Sequence, residues 1–200
     1  MTLIESLEDN APRPTESLAH RLLMPMPTQT GSYFGDTLVY LCRHNEDGAF
    51  GLVINKELDV TFDELLQQQS PPAITQEPIT VDYPVYDGGP VREDHGFVLH
   101  SDDRIYPGSD PLGSGLCLTL TADLLAAVNS GDGPQRLLIA LGYAGWGAGQ
   151  LESELAAEAW LTLGASDDLL FDVPAEQRLS LAARRAGIQL DLLGGHIGRC

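Results

Sequence analysis

Cys42 and His44 stand two residues apart in the apolar segment TLVYLCRH, residues 37–44. On a regular strand, side chains at positions i and i+2 point to the same face, so the thiol and the imidazole would lie side by side. A neighbouring imidazolium stabilises a thiolate, which is the nucleophilic and oxidisable form of cysteine. Cys42 with His44 is therefore a candidate redox or catalytic site. The alternative, favoured by the flanking sequence, is that Cys42 packs in the core as a small apolar residue.

Two further histidines, His95 and His100, bracket the segment HGFVLH. With His44 and nearby carboxylates they could supply nitrogen and oxygen ligands to a metal. However, a separation of five places them on opposite faces of a regular strand, and no HxH or HExxH spacing occurs. Adjacent Ser101, His100 and Asp102 cannot converge into a catalytic triad. We expect hydrogen-bonding roles and no metal site, and we keep His95 and His100 as candidate ligand-binding residues.

A glycine-rich segment, GYAGWGAGQ at residues 142–150, separates an apolar strand pattern from a helix pattern. Phosphate-binding loops occupy this position. The segment has neither the GK[ST] nor the GxGxxG pattern, and Glu152 and Glu154 occupy the first helical turn, where a phosphate would have to bind. We therefore predict a tight turn packed against Trp146 and expect no cofactor. Gly145, Trp146 and Gly147 remain candidate ligand-binding residues.

The elements that must position these residues are short strands and interspersed helices. Residues 37–43 and 48–55 predict a hairpin joined by HNEDG, whose Asn45 and Gly48 tolerate positive φ. Thr61 and Glu64 form a capping-box pattern at the start of a helix. Further strands are predicted at residues 85–87, 97–101, 115–119, 136–142, 160–163 and 169–171, and helices at 61–69, 121–130, 151–160 and 174–187. This arrangement indicates an α+β or mixed α/β fold.

The N-terminal residues 1–16 are polar and acidic and contain two prolines, which predicts a mobile acidic leader before a single domain at 17–200. They lack the basic and apolar regions of a signal peptide. The three cysteines contain no CxxC pair, and no apolar run reaches the length of a membrane span. These features together predict a cytoplasmic protein.

The charge excludes several classes of partner. Asp and Glu number 29 against 11 Lys and Arg, a net charge of −18. This argues against direct binding of nucleic acid or of an anionic membrane surface, both of which require clustered cations. The one cationic zone is the last predicted helix, where Arg178 and Arg185 share a face. They could meet an acidic partner, the chain's own acids or solvent.

The motifs, taken in order, resemble the AlgH/YqgE family of bacterial proteins. They are MPxxxxSYFxxTLVYLCxH at residues 26–44, NEDGAFGLVINK at 45–56, GGPV at 88–91, HGFVLHS at 95–101, GYAGWGAGQLExE at 142–154, and a closing segment with Gly195 and His196. The resemblance implies a single α+β domain with a curled, partly barrel-like mixed sheet and flanking helices. Arg43 departs from the acidic residue that commonly follows the cysteine in the family.

The resemblance implies little about activity, because members are labelled transcriptional regulators without a mechanism. The net charge of −18 conflicts with that label in its DNA-binding sense and leaves a protein partner open. We therefore carry two hypotheses. The first is a non-enzymatic regulatory or protein-binding module that does not bind DNA directly. The second is a thiol-based redox-responsive protein or enzyme that uses Cys42 next to His44.

Overall fold

A computed structural model describes residues 17–27, 31–69, 83–119 and 122–190, which hold nine strands and five helices. The longest helix has 11 residues, and none in these ranges is long and apolar enough to cross a bilayer. The strands are β1 Arg21–Pro25, β2 Val39–Asn45, β3 Gly48–Val53, β4 Val85–Asp87, β5 Val91–Ser101, β6 Asp110–Gly113, β7 Leu116–Thr119, β8 Leu137–Gly147 and β9 Trp160–Gly164. The helices are α1 Phe62–Gln69, α2 Ala122–Asn129, α3 Gln150–Ala156, α4 Asp167–Phe171 and α5 Ala175–Arg185.

All nine strands belong to one sheet. Its order is β6-β7-β5-β8-β3-β2-β1-β9, and β4 lies beside β8 off this path. The pairs along the path are antiparallel, whereas β4 runs parallel to β8. The sheet curls into a half-barrel. The predicted single α+β domain with a curled mixed sheet and flanking helices is therefore confirmed.

Three apolar clusters cover the two faces of the sheet. The largest contains Tyr40 and Cys42, draws on β1 to β5 and β7 to β9, and packs against α4 and α5. The second contains Val39 and Leu41 and lies under α3. The third lies between the sheet and helices α1 and α2. The first two clusters take alternate residues of β2, as the period of a strand requires.

Several elements differ from the sequence-based expectation. Residues 169–171 form part of helix α4 instead of a strand, because a short apolar run fits either element and Ser166 with Asp167 starts a helix here. Strand β5 begins at Val91 rather than at residue 97. Its register moves from Val91 opposite Tyr143 to Gly96 opposite Leu141, so residues 92–95 bulge out of the sheet. The predicted leader, residues 1–16, lies outside the described residues.

Strand β8 is longer than the predicted 136–142, and this corrects the predicted turn. Gly145, Trp146 and Gly147 pair with β3, and only residues 148–149 turn before α3. The pairing depends on Gly48 opposite, since a Cβ there would stand 2.1 Å from the carbonyl oxygen of Trp146. The glycines therefore allow close strand pairing. From the sequence alone a glycine-rich segment suggests a turn, because the strand that pairs with it is then not known.

Candidate functional site

Cys42 and His44 lie on opposite faces of β2, so the expected thiol–imidazole pair is not formed. The register moves from Leu41 opposite Gly51 to Arg43 opposite Phe50, which makes Cys42 the extra residue of a β-bulge. Cys42 packs in the first cluster, whereas His44 pairs with Ala49, which packs in the second. The prediction of a shared face is wrong because it assumed a regular strand.

Cys42 and His44, the two residues of the expected pair, have separate structural roles. Cys42 is 1% exposed, and burial raises the pKa of its thiol. Cys117 is also buried, with its pKa raised by desolvation, and Cys200 lies outside the described residues. Neutral buried thiols are poor nucleophiles. The geometry therefore agrees with the alternative in which Cys42 packs as a core residue.

His44 connects the chain before β1 to helix α3. The backbone N–H of Leu18 donates to Nδ1 at 3.0 Å, which places the ring proton on Nε2. Nε2 then donates to Oε1 of Glu152 at 3.0 Å. The hydroxyl of Ser17 also donates to the carbonyl oxygen of His44 at 2.9 Å. Both ring nitrogens are thus occupied in holding the fold together.

The glycine-rich segment is organised around the carboxylate of Glu154, which the sequence pattern placed only in the first turn of a helix. Oε2 of Glu154 accepts the indole N–H groups of Trp146 at 2.9 Å and Trp160 at 2.8 Å. Its other oxygen accepts the amide of Gln150 at 2.9 Å. Phe34 stacks on Trp146 and meets Trp160 edge-on. We call this set the Glu154 network; its two indoles are buried, and it anchors α3 to β8 and β9.

His95 lies in the bulge of residues 92–95. Its Nε2 accepts from the guanidinium of Arg92 at 3.0 Å, and its Nδ1 donates to the carboxylate of Asp94 at 2.8 Å. This arrangement is local and partly exposed. Among the residues that the structure describes, no group of three His, Cys, Asp or Glu side chains could hold a metal ion.

His100 lies 0% exposed on β5 at the start of a hydrogen-bonded chain. Nδ1 donates to the carbonyl oxygen of Ser101 at 2.8 Å, so Nε2 accepts a hydrogen bond from the hydroxyl of Thr119 at 2.7 Å. Thr119 accepts from the hydroxyl of Ser109 at 2.7 Å, and Ser109 accepts the backbone N–H of Tyr106 at 3.0 Å. Desolvation lowers the pKa of His100, which keeps the ring neutral.

This chain, the His100 network, ends on the loop that connects β5 to β6, residues 102–109. Two residues of this β5–β6 loop bind one carbonyl oxygen on a neighbouring loop. Asp132 O accepts from Nη1 of Arg104 at 2.8 Å and from the hydroxyl of Tyr106 at 3.0 Å. The ring of Tyr106 also meets the ring of His100 edge-on, with centroids 5.8 Å apart. The β5–β6 loop is therefore held in two places, by the His100 network and by the carbonyl oxygen of Asp132.

Ile105 lies between the two anchored residues, Arg104 and Tyr106. The residue is 62% exposed, and it is the sole large hydrophobic residue that is exposed in the part of the chain described. Because Arg104 and Tyr106 are fixed to Asp132, the backbone holds Ile105 toward solvent. Sequence analysis did not select Ile105, since one exposed aliphatic residue in a loop produces no periodic pattern. The proline and glycine that follow it identify only a loop.

The cationic zone of the last helix serves this chain's own residues. Arg178 is buried, donates from Nε to the carbonyl oxygen of Val173 at 2.8 Å, and also binds the carbonyl of Ile54. Arg185 pairs with Asp168 in a two-pronged contact of 3.1 and 2.5 Å. Arg43, the departure from the family pattern, pairs with Asp110 on β6. Of the three alternatives left open for this zone, Arg185 forms the contact with the chain's own acidic residues, through Asp168.

The fold defines a single-domain α+β protein built on a half-barrel sheet. The chain belongs to the AlgH-like family, whose model (DUF179) matches residues 22–191. The resemblance drawn from the ordered motifs is thereby confirmed. The closing motif with Gly195 and His196 lies outside the described residues.

Relatives and solved structures agree with this membership. A UPF0301 protein of Pseudomonas aeruginosa is 46% identical over 182 residues, covering 90% of this chain and 95% of the relative. One of Cupriavidus metallidurans is 44% identical over 187 residues, covering 91% and 95%. The solution structure of the AlgH protein from Pseudomonas aeruginosa has a TM-score of 0.77 and 42% identity, covering 97% and 100%. A crystal structure from Corynebacterium diphtheriae shares the fold at 16% identity, with a TM-score of 0.67 and coverage of 89% and 92%.

Proposed function

We propose that this protein is a non-enzymatic, regulatory protein-binding module of the cytoplasm that docks a partner protein through the β5–β6 loop. The observation that carries the proposal is Ile105, 62% exposed between two residues that are both fixed to Asp132 O. A single exposed aliphatic residue is ordinary on a protein surface. One held on an immobilised loop is suited to binding, because little conformational entropy remains to be lost when a partner docks.

The side chains that could carry out chemistry have structural roles instead, and this supports a binding function. The Cys42 thiol is buried, and its raised pKa disfavours the reactive thiolate, so no observation favours the thiol-based alternative. Both ring nitrogens of His44 and of His100 are engaged in hydrogen bonds that hold backbone segments. The net charge of −18 supports a protein partner over direct contact with DNA, whose phosphates would be repelled.

The test is selection from a phage library that displays fragments of the proteome of the bacterium encoding the chain, with the whole protein immobilised. We expect overlapping fragments of a partner to be enriched. Purified fragments should bind the Ile105→Ser variant at least about tenfold more weakly, because the aliphatic anchor is lost. Ala157→Ser, an exposed apolar-to-polar change near the end of α3, is the matched control and should bind normally.

A second variant tests whether the rigidity of the loop contributes. Thr119→Val removes the hydroxyl that connects His100 to Ser109 without altering the exposed surface. We expect binding to weaken by about threefold or more, because a looser loop must be ordered on docking. Absence of any fragment that distinguishes wild type from Ile105→Ser would refute the proposed function.

A further inference from the structure

The surroundings of Ile105 specify the chemistry of the partner. From the geometry and charge of the β5–β6 loop, we infer that the partner presents an apolar pocket bordered by lysine or arginine side chains. This inference rests on the proposed function and names the partner class for the same loop. Its basis is an exposed aliphatic side chain on a loop that carries two exposed aspartates and contacts a third.

The shape of the surface indicates a pocket. Ile105 lies exposed between Arg104 and Tyr106, whose side chains both turn to Asp132 O. Tyr106 is half-buried and covers His100, so it adds little to the exposed apolar surface. A flat apolar partner would contact only the end of one side chain, whereas a pocket would enclose it. Binding anchors of this kind contribute most when they are fully desolvated.

The border of the surface is acidic. Asp102 and Asp103 precede Ile105 in the loop, and Asp132 lies beside it through its contacts with Arg104 and Tyr106; all three acids are exposed. Arg104 is the one cation of the group, and it already contacts the carboxylate of Asp132 at 3.5 Å. Three carboxylates outnumber the one guanidinium, which is already paired, so the exposed surface beside Ile105 is negative.

Asp103 is held in its charged form by the fold. Desolvation raises its pKa, but hydrogen bonds from the Ser101 hydroxyl and the Gln135 backbone N–H outweigh that effect and lower it. The negative border is therefore present at neutral pH. Together with the net charge of −18, it would attract a cationic surface and repel an acidic one during approach.

The experiment uses two display libraries built on one small folded scaffold with a randomised apolar pocket. In one library Lys and Arg border the pocket, and in the other Asp and Glu border it. Both are selected on the whole protein, and the clones are then measured against Ile105→Ser. We expect clones that lose at least about tenfold in affinity on this substitution to come from the basic-bordered library alone.

Charge variants sharpen the result. Asp102→Asn combined with Asp132→Asn should weaken these clones by about three- to tenfold at low ionic strength, mainly through slower association, and high salt should abolish the difference. Asp47→Asn, an exposed acid in the turn between β2 and β3, is the matched control and should leave affinity unchanged. Asp103 is left intact because its carboxylate also holds the loop.

The outcomes separate the two proposals. Ile105-dependent clones that arise equally from both libraries, or that ignore the charge variants and salt, would overturn the inference about the partner and leave the docking loop standing. If neither library yields an Ile105-dependent clone, the loop is no docking surface, and both proposals fail.

Discussion

The Glu154 network and the His100 network are both partly buried sets of hydrogen bonds, but they hold different kinds of residue in place. Around Glu154, the carboxylate receives two indole N–H groups, and the aromatic rings are drawn inward beneath α3. Around His100, the chain through Thr119 and Ser109 reaches a surface loop and fixes an aliphatic side chain outward. One network buries apolar surface, and the other keeps apolar surface exposed.

The difference separates stability from recognition. Burying an isoleucine contributes roughly 1.5–3 kcal/mol to folding, and the exposed position of Ile105 forgoes most of that. The hydrogen bonds that hold its loop therefore do not serve to bury it. By contrast, the acceptor oxygens of Glu154 allow Trp146 and Trp160 to be buried without unpaired N–H groups. Substitutions in the Glu154 network should then mainly lower stability, whereas substitution of Ile105 should mainly weaken binding.

Within the two networks, the largest expected effect on stability is at Glu154. Glu154→Ala leaves two buried indole N–H groups without an acceptor, and hydrogen bonds to a charged group contribute about 1.5–3 kcal/mol each. Because both bonds share one oxygen of a half-buried carboxylate, we expect the free energy of unfolding, measured by urea denaturation, to fall by less than their sum, about 2–4 kcal/mol. Glu154→Gln is the matched control, since its amide oxygen can still accept both N–H groups, and it should lose less than half as much. Equal losses in the two variants would show that the negative charge, and not the acceptor, matters.

Much of the fold could be predicted because it depends on local patterns. The capping box at α1 is formed as expected, with Thr61 N–H donating to Glu64 at 2.9 Å and Glu64 N–H donating to Thr61 at 3.2 Å. The hairpin of β2 and β3 follows from its alternation and its turn residues. The bulge at Cys42 could not be predicted, because it is defined by the register against β3 and inverts the face of every residue after it.

The candidate site was predicted only in part, for the same physical reason. His100 was selected as a candidate, but its partners Thr119 and Ser109 come from β7 and from the far end of the loop. The sequence pattern placed Glu154 in the first turn of a helix, but the two tryptophans that it binds are brought to it by β8 and β9. Ile105 is significant only because it stays exposed, and exposure is a property of the folded chain.

The second expected effect is a pH dependence that originates in the His100 network. Desolvation lowers the pKa of His100 in the folded protein, whereas an unfolded histidine titrates near about 6.5. As the pH falls below about 6.5, the unfolded chain takes up a proton that the folded chain does not, so stability decreases until the folded pKa is passed.

This dependence can be isolated by comparing wild type with His100→Gln. Urea denaturation across pH 5 to 8 should give a steeper loss of stability toward acid in wild type, with the difference at most about 1.4 kcal/mol per pH unit for one proton. Every other residue is the same in the two proteins, so its contribution cancels in the comparison. A difference of the opposite sign would mean that folded His100 is charged, contrary to its acceptor role toward Thr119.

The smallest expected effect on stability is at the residue with the largest expected effect on binding. Ile105→Ser should change the free energy of unfolding by no more than about 0.5 kcal/mol, because the side chain is mostly exposed and has little contact to lose. Leu99→Ala, a fully buried change on the preceding strand, should destabilise by about 2–5 kcal/mol and serves as the contrast. A loss above about 1 kcal/mol for Ile105→Ser would mean that Ile105 packs on its own chain, and any loss of binding would then reflect damage to the loop. A near-zero change in the free energy of unfolding together with a loss of binding would show that the Ile105 side chain contacts the partner, since its contribution would arise only in the complex.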